Sequence, residues 1–189
     1  MIRAQSPSLQ TIPRVPLATA VRRDLEVGRY DHVPQGATWL RDLALEAARI
    51  ADVPAAAINL MKSTTQRTVA AVGADASLHA RADSLCDPII DEARTVHVRD
   101  ASLDERWAHN PFVDGRWGRV RFYGAHPLLN PAGFVVGTLC VLDERPRELE
   151  PHQVAALDDL ASLVVTELEE SRLAVLRTNV TRSRRPVRR

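Results

Sequence analysis

RVRFYGAHPLLNPAGFVVGTLCVLDERPREL, residues 119–149, holds two strand-like runs, Arg119–Leu128 and Phe134–Leu142, joined by Leu129-Asn130-Pro131-Ala132-Gly133. Asn-Pro and Gly supply the turn, since proline fixes φ and glycine tolerates positive φ. In the second run both alternating sets are apolar or small: Phe134, Val136, Thr138, Cys140 and Leu142 against Val135, Gly137, Leu139 and Val141. Such a strand is covered on both faces, so it is expected at the centre of a sheet.

Downstream, Glu148-Leu149-Glu150-Pro151 opens a helix, with Pro151 in the first turn where a missing N–H costs nothing. Its apolar seam is Val154, Leu157, Ala161, Val164 and Leu168, and the helix is free to run to Arg177. At ~1.5 Å per residue that is about 40 Å. The excess over what a sheet needs implies a dimer helix. The tail 178–189 carries Arg182, Arg184, Arg185, Arg188 and Arg189 around Pro186 and is expected to be disordered.

Upstream, Trp39, Leu40, Leu43, Ala44, Ala47, Ile50 and Ala51 form the stripe of an amphipathic helix that ends before Pro54. Ala55–Met61 and Gln66–Val72, separated by Lys62-Ser63-Thr64-Thr65, predict a hairpin. A short helix over Cys86–Ala93 and a strand over Thr95–Val98 follow. The segment Asp100–Trp117 is irregular and long enough to be functional. Pro7, Pro13, Pro16 and Pro34 among polar residues make 1–35 a flexible arm, leaving 36–177 as the domain.

Composition sets outer bounds. A chain of 189 residues, 45% hydrophobic and 26% charged, fits one soluble globular domain with flexible ends. A net charge of +1 gives no global attraction to nucleic acid. No segment has the length of a signal peptide or membrane span, so a cytoplasmic protein is expected. Cys86 and Cys140 lack metal or CxxC spacing, and both read as buried small hydrophobes.

This order of elements resembles the GAF family, and in particular a stand-alone bacterial GAF sensor domain. The likeness is carried by VRFYGAHPL (120–128), GFVVGTLCVLDERPREL (133–149), LCDPII (85–90) and VRDASLDERWAHNPFVDG (98–115), and it spans about 37–172. It implies an α/β (α+β) fold: a GAF/PAS-like central antiparallel sheet flanked by N- and C-terminal helices. Ligands differ widely across that family, so no cofactor is assigned. His126 stands where relatives usually carry a small residue, and Asp87-Pro88 where they carry Ala-His.

The resemblance places a ligand pocket over the sheet face that carries Arg121, Tyr123 and Ala125. Arg121 is equally free to pair with Asp100 or Asp104. Trp107, Phe112 and Trp117 are candidates for a lid. Cys86, Thr138 and Cys140 complete the candidate ligand-binding set. Asp100, Asp104, Glu105 and Arg106 read as a capped turn with an internal Asp–Arg contact, not a metal cage. His97 and His126 read as hydrogen-bonded packing, not as ligands of a metal or haem.

The function expected is a non-catalytic sensor module binding a small molecule or a signalling partner, dimeric through 37–52 and 151–177, without membrane or nucleic-acid contact. The alternative is a thiol-dependent reductase of a small oxidised metabolite, like the branch of the family that reduces free methionine sulfoxide, and it would act through Cys86. A third reading, nucleic-acid association, rests on the Arg tail alone.

Overall fold

A computed structural model describes residues 17–183. Six strands make one antiparallel sheet: β1 (Ala55–Met61), β2 (Thr65–Val72), β3 (Leu78–Ala80), β4 (Val96–Val98), β5 (Phe122–Leu129) and β6 (Val135–Asp143), in the order β3-β2-β1-β6-β5-β4. The doubly apolar β6 is therefore interior, between β1 and β5, as its pattern requires.

Strand alternation divides the core in two. On one face Ile58, Leu60, Phe122, Leu128, Leu139 and Val141 pack against α2 (Thr38–Ala51) and α4 (Pro151–Ser183), chiefly through Leu40, Ala44, Leu157, Val164 and Leu168. On the other, Met61, Tyr123, Ala125 and Cys140 meet Leu85, Ile89 and Ile90 around the short α3 (Asp87–Glu92), with Trp107 and Val113 from the following loop.

The central strands approach closely. A Cβ on Gly137 would stand 1.8 Å from the Asn59 carbonyl oxygen, so only glycine lets β6 pair with β1 there. That pairing fixes Asn59 opposite Thr138.

Three expectations are corrected. The segment read as an arm contains α1 (Leu17–Gly28), and Val27, Tyr30 and Val33 are buried in the helix-side core. The prolines at 7, 13 and 16 lie upstream of it, and residues 1–16 fall outside the described chain. Arg67 holds the turn after α1 through the carbonyls of Val33 (2.7 Å) and Tyr30 (3.1 Å). Tyr30 Oη donates to Glu169 on α4, and His32 Nε2 lies 3.0 Å from Ser171 Oγ. Next, β5 begins at Phe122, so Arg121 precedes the strand. Finally, α4 runs to Ser183, since no proline intervenes before Pro186; the expected disorder of the tail otherwise lies outside the described residues.

Candidate functional site

The sheet face opposite α2 and α4 carries a cleft of ≈ 1450 Å³. Ala57, Asn59, Gln66, Thr68, Tyr123 and Cys140 supply its floor, and Leu85, Cys86, Phe112 and Trp117 its wall. Phe112 meets Trp117 edge-on at 5.4 Å and His79 at 5.5 Å, forming an aromatic rim. Trp117 is 56% exposed at that rim.

Beneath the rim runs a buried chain of hydrogen bonds in which each link fixes the next. The Cys86 N–H donates to Ser84 Oγ at 2.9 Å, and the Ser84 hydroxyl donates to Gln66 Oε1. Gln66 Nε2 (3.3 Å) and Thr68 Oγ1 (2.7 Å) both donate to Asn59 Oδ1. With its oxygen taken, Asn59 can only aim its amide nitrogen at the two sulfurs, 3.7 Å from Cys86 Sγ and 3.6 Å from Cys140 Sγ.

The sulfurs themselves are 3.3 Å apart. Cys86 Sγ also accepts from Tyr123 Oη and Thr138 Oγ1, each at 3.2 Å, while the Cys140 thiol lies 3.1 Å from Thr138 Oγ1. The hydrogen bond with Cys140, helped by Thr138, Tyr123 and Ser84, brings the Cys86 thiol down to about 7 against the opposing effect of burial. Burial pushes Cys140 well up. The Asp87 carboxylate, next to Cys86 in sequence, is paired with Arg81.

The other expected site residues separate. Tyr123, Cys86, Cys140 and Phe112 line the cleft. Thr138 and Ala125 are fully buried, and Thr138 acts on the sulfurs from behind the floor. Trp107 is 1% exposed and donates through Nε1 to the Leu85 carbonyl at 2.9 Å, with Arg106 stacked on its ring. It belongs to the core and not to a lid. Arg121 donates to the carbonyls of Val113 (3.1 Å) and Val120 (3.0 Å) and is absent from the cleft lining. It does not take either expected acid: Asp100 caps Ser102, and Asp104 pairs with Arg106. β5 starts at Phe122, three residues later than the run read from the sequence, so Arg121 lies outside the strand and these carbonyls take its guanidinium locally.

Asn59, Gln66, Thr68 and His79 were missed. Asn59 had a signal: it is the one polar residue in AAAINLM, a run otherwise fit for a buried strand. His97 and His126 sit on the opposite, helix side, with Nε2 atoms 3.1 Å apart, and His126 Nδ1 is bonded to Asp158 of α4. Among the described residues no group of three or more His, Cys, Asp or Glu is placed to hold a metal ion, and no helix is long and apolar enough to cross a membrane.

A family model of the GAF domain matches residues 25–168. A cyclic di-GMP phosphodiesterase of Pseudomonas aeruginosa is 37% identical over 120 residues, covering 63% of this chain. The chain spans only 20% of that relative's length. Among solved structures, the GAF domain of a phosphoenolpyruvate-protein phosphotransferase from Coxiella burnetii superposes with a TM-score of 0.63 at 11% identity, over 86% of this chain and 99% of that one. The blue-light absorbing form of the PixJ GAF domain from Thermosynechococcus elongatus gives 0.59 at 15% identity, covering 91% and 99%. A type II free methionine-R-sulfoxide reductase from Thermoplasma acidophilum gives 0.58 at 12% identity, covering 70% and 92%. At these identities the structural likenesses show the fold alone.

Proposed function

The chain belongs to the GAF domain family, and from that premise we propose that it is a non-catalytic sensor or regulatory module that binds a small molecule in the cleft over β1, β2, β5 and β6. The observation that carries this reading is the cleft itself: an open space of ≈ 1450 Å³ with an aromatic rim and a floor of mutually oriented polar side chains. Such a floor selects a ligand by hydrogen bonding, and the rim supplies apolar contact area. A similar segment within the much longer Pseudomonas phosphodiesterase fits a module that regulates neighbours.

The module acts in the cytoplasm, where its thiols stay reduced. It pairs with a second copy through 37–52 and 151–177; the exposed Leu45, Leu163, Leu173 and Leu176 on α2 and α4 support that arrangement. Occupancy of the cleft biases how the sheet packs on these helices, which a partner protein reads.

Native mass spectrometry of the freshly purified chain tests the ligand claim. A non-covalent small molecule is expected, and its retention should fall in Trp117→Ala. An empty protein whose melting temperature no cellular metabolite raises would sink the reading. Light scattering across concentrations tests the dimer, and a monomer at micromolar concentration refutes it.

The paired sulfurs favour a second reading, thiol-dependent reduction of a small oxidised metabolite through Cys86. It requires turnover: many equivalents of sulfoxide consumed per chain in the presence of a dithiol, abolished in Cys86→Ser.

A further inference from the structure

The chain holds two cysteines, 54 residues apart in sequence, and the fold sets their sulfurs side by side on the cleft floor, 3.3 Å apart. We propose that Cys86 and Cys140 are a reversible oxidation site at which a small hydroperoxide entering the cleft is reduced and the pair closes to an intramolecular disulfide.

The proton bookkeeping divides the roles. The Cys140 thiol donates a hydrogen bond to Thr138 Oγ1 at 3.1 Å and keeps its proton, while the Thr138 hydroxyl donates to Cys86 Sγ at 3.2 Å. Tyr123 Oη donates to the same sulfur at 3.2 Å, and the Asn59 amide is locked toward it by Gln66 and Thr68. Cys86 Sγ thus sits where donors converge, the surroundings a thiolate needs. Cys140 is on the rigid interior strand β6, as a thiol that waits. The low Cys86 and raised Cys140 values agree with this order. Both residues line the cleft, so a molecule of a few atoms reaches them although their side chains are buried.

The chemistry balances. Cys86 thiolate attacks one peroxide oxygen, the O–O bond breaks, the alkoxide leaves and takes up a proton, and Cys86 becomes a sulfenic acid. Cys140 then attacks Cys86 Sγ, the S–O bond breaks, and the departing hydroxide leaves as water with the Cys140 proton. In sum, two thiols and one hydroperoxide give one disulfide, one alcohol and one water. The sulfur pair loses two electrons and the peroxide gains them. A cellular dithiol reverses the change by exchange.

Closing the bond takes the sulfurs from 3.3 Å to about 2.05 Å, a movement that falls on Cys86 at the start of the short α3 rather than on β6. Tyr123, Thr138 and Asn59 then lose the charged acceptor they share. Tyr123 and Asn59 line the cleft, so the oxidised and reduced modules offer different surfaces to a ligand. The oxidation needs no ligand, so this proposal and the small-molecule reading stand or fall separately.

The test treats the reduced full chain with hydrogen peroxide or tert-butyl hydroperoxide, then alkylates it and maps the peptides. The expected product is lighter by two hydrogens, carries a Cys86–Cys140 link within one chain, and reverts with dithiothreitol. Cys140→Ser should stop at a dimedone-reactive sulfenic acid on Cys86, and Tyr123→Phe should slow oxidation about tenfold. Should Cys140→Ser fail to fold, the wild-type peptide map and the Tyr123→Phe rate still decide. Thiols left unmodified, sulfenic acid on Cys140 in place of Cys86, or a link only between chains would each overturn the proposal. A purified chain that holds a small molecule but resists peroxide refutes the oxidation site and leaves the sensor reading intact.

Discussion

His126 Nδ1 lies 2.6 Å from Asp158 Oδ1, joining the fully buried imidazole of β5 to the outer helix α4 across the layer between them. The ring's other nitrogen meets His97 Nε2 of β4 at 3.1 Å, and Thr95 Oγ1 donates to the same Asp158 oxygen at 2.8 Å. With the carboxylate accepting from His126 Nδ1, the His126 Nε2 lone pair can accept only from His97. One arrangement of protons therefore satisfies the whole relay. Gly124 makes room for it: a Cβ there would stand 3.1 Å from the His97 ring.

Asp158→Ala should cost about 1–3 kcal/mol in urea unfolding, because it leaves a buried imidazole N–H without its acceptor. Asp158→Asn keeps an acceptor and should cost less. Equal stability of the alanine variant and the wild type would mean that the tie between sheet edge and α4 carries no free energy.

The same relay predicts acid sensitivity. Burial and the neighbouring His126 hold His97 down to about 4, against a partial pull upward from Asp158, and burial lowers His126 too. Below about 6.5 an unfolded chain takes up a proton that folded His97 refuses. Stability should therefore fall as pH drops from about 6.5 to about 4, and the His97 contribution should level off below that. His97 is partly open to solvent, so the loss should be about 1–2 kcal/mol, not the full linkage value. Denaturant melts of the wild type and His97→Gln across this range should diverge, and a constant difference would refute the assignment.

Gly137→Ala is expected to abolish folding or cost more than about 4 kcal/mol, since its methyl group collides with backbone and no side chain can yield. Gly133→Ala meets nothing within 4 Å, and only its φ of +82° opposes it, for about 1 kcal/mol. Thermal melts of the two variants side by side separate close approach from backbone strain.

Tyr30→Phe tests whether α1 belongs to the domain. Removing the hydroxyl that donates to Glu169 should cost about 1 kcal/mol. Removing residues 1–29 should cost far more, because it strips Val27 from the core and breaks the Arg23–Asp91 ion pair. A truncated chain that melts like the full one would restore the arm interpretation.

Five of the sheet's six strands were legible because their signals are local: β6 announces burial on both faces, and the Asn130–Gly133 turn announces its pairing with β5; β3 (Leu78–Ala80), three residues long, carries no pattern and was missed. Helices α2 and α4 were legible for the same reason, through apolar seams such as Leu157, Ala161, Val164 and Leu168. Helix α1 was not, because its anchors are Tyr30, His32 and Arg23, polar or amphipathic residues whose partners lie far along the chain. The site was half legible. Tyr123, Cys86, Phe112 and Cys140 reach the cleft, but the nearness of the two sulfurs depends on where the start of α3 rests over β6. No spacing in the sequence encodes that. Arg121 was misplaced because the strand was read from Arg119, whereas β5 starts at Phe122 and leaves Arg121 in the preceding segment, bonded to local carbonyls.

Helix α4 is buried through Leu168, then runs on to Ser183 with residues 173–179 exposed. It is thus a cantilever clamped at its root. About 22 Å of helix lies beyond the clamp at ~1.5 Å per residue, so a tilt of about 5° at the root displaces the tip by about 2 Å. A change in the sheet too small to notice at Asp158 would be amplified where the helix leaves the body of the protein.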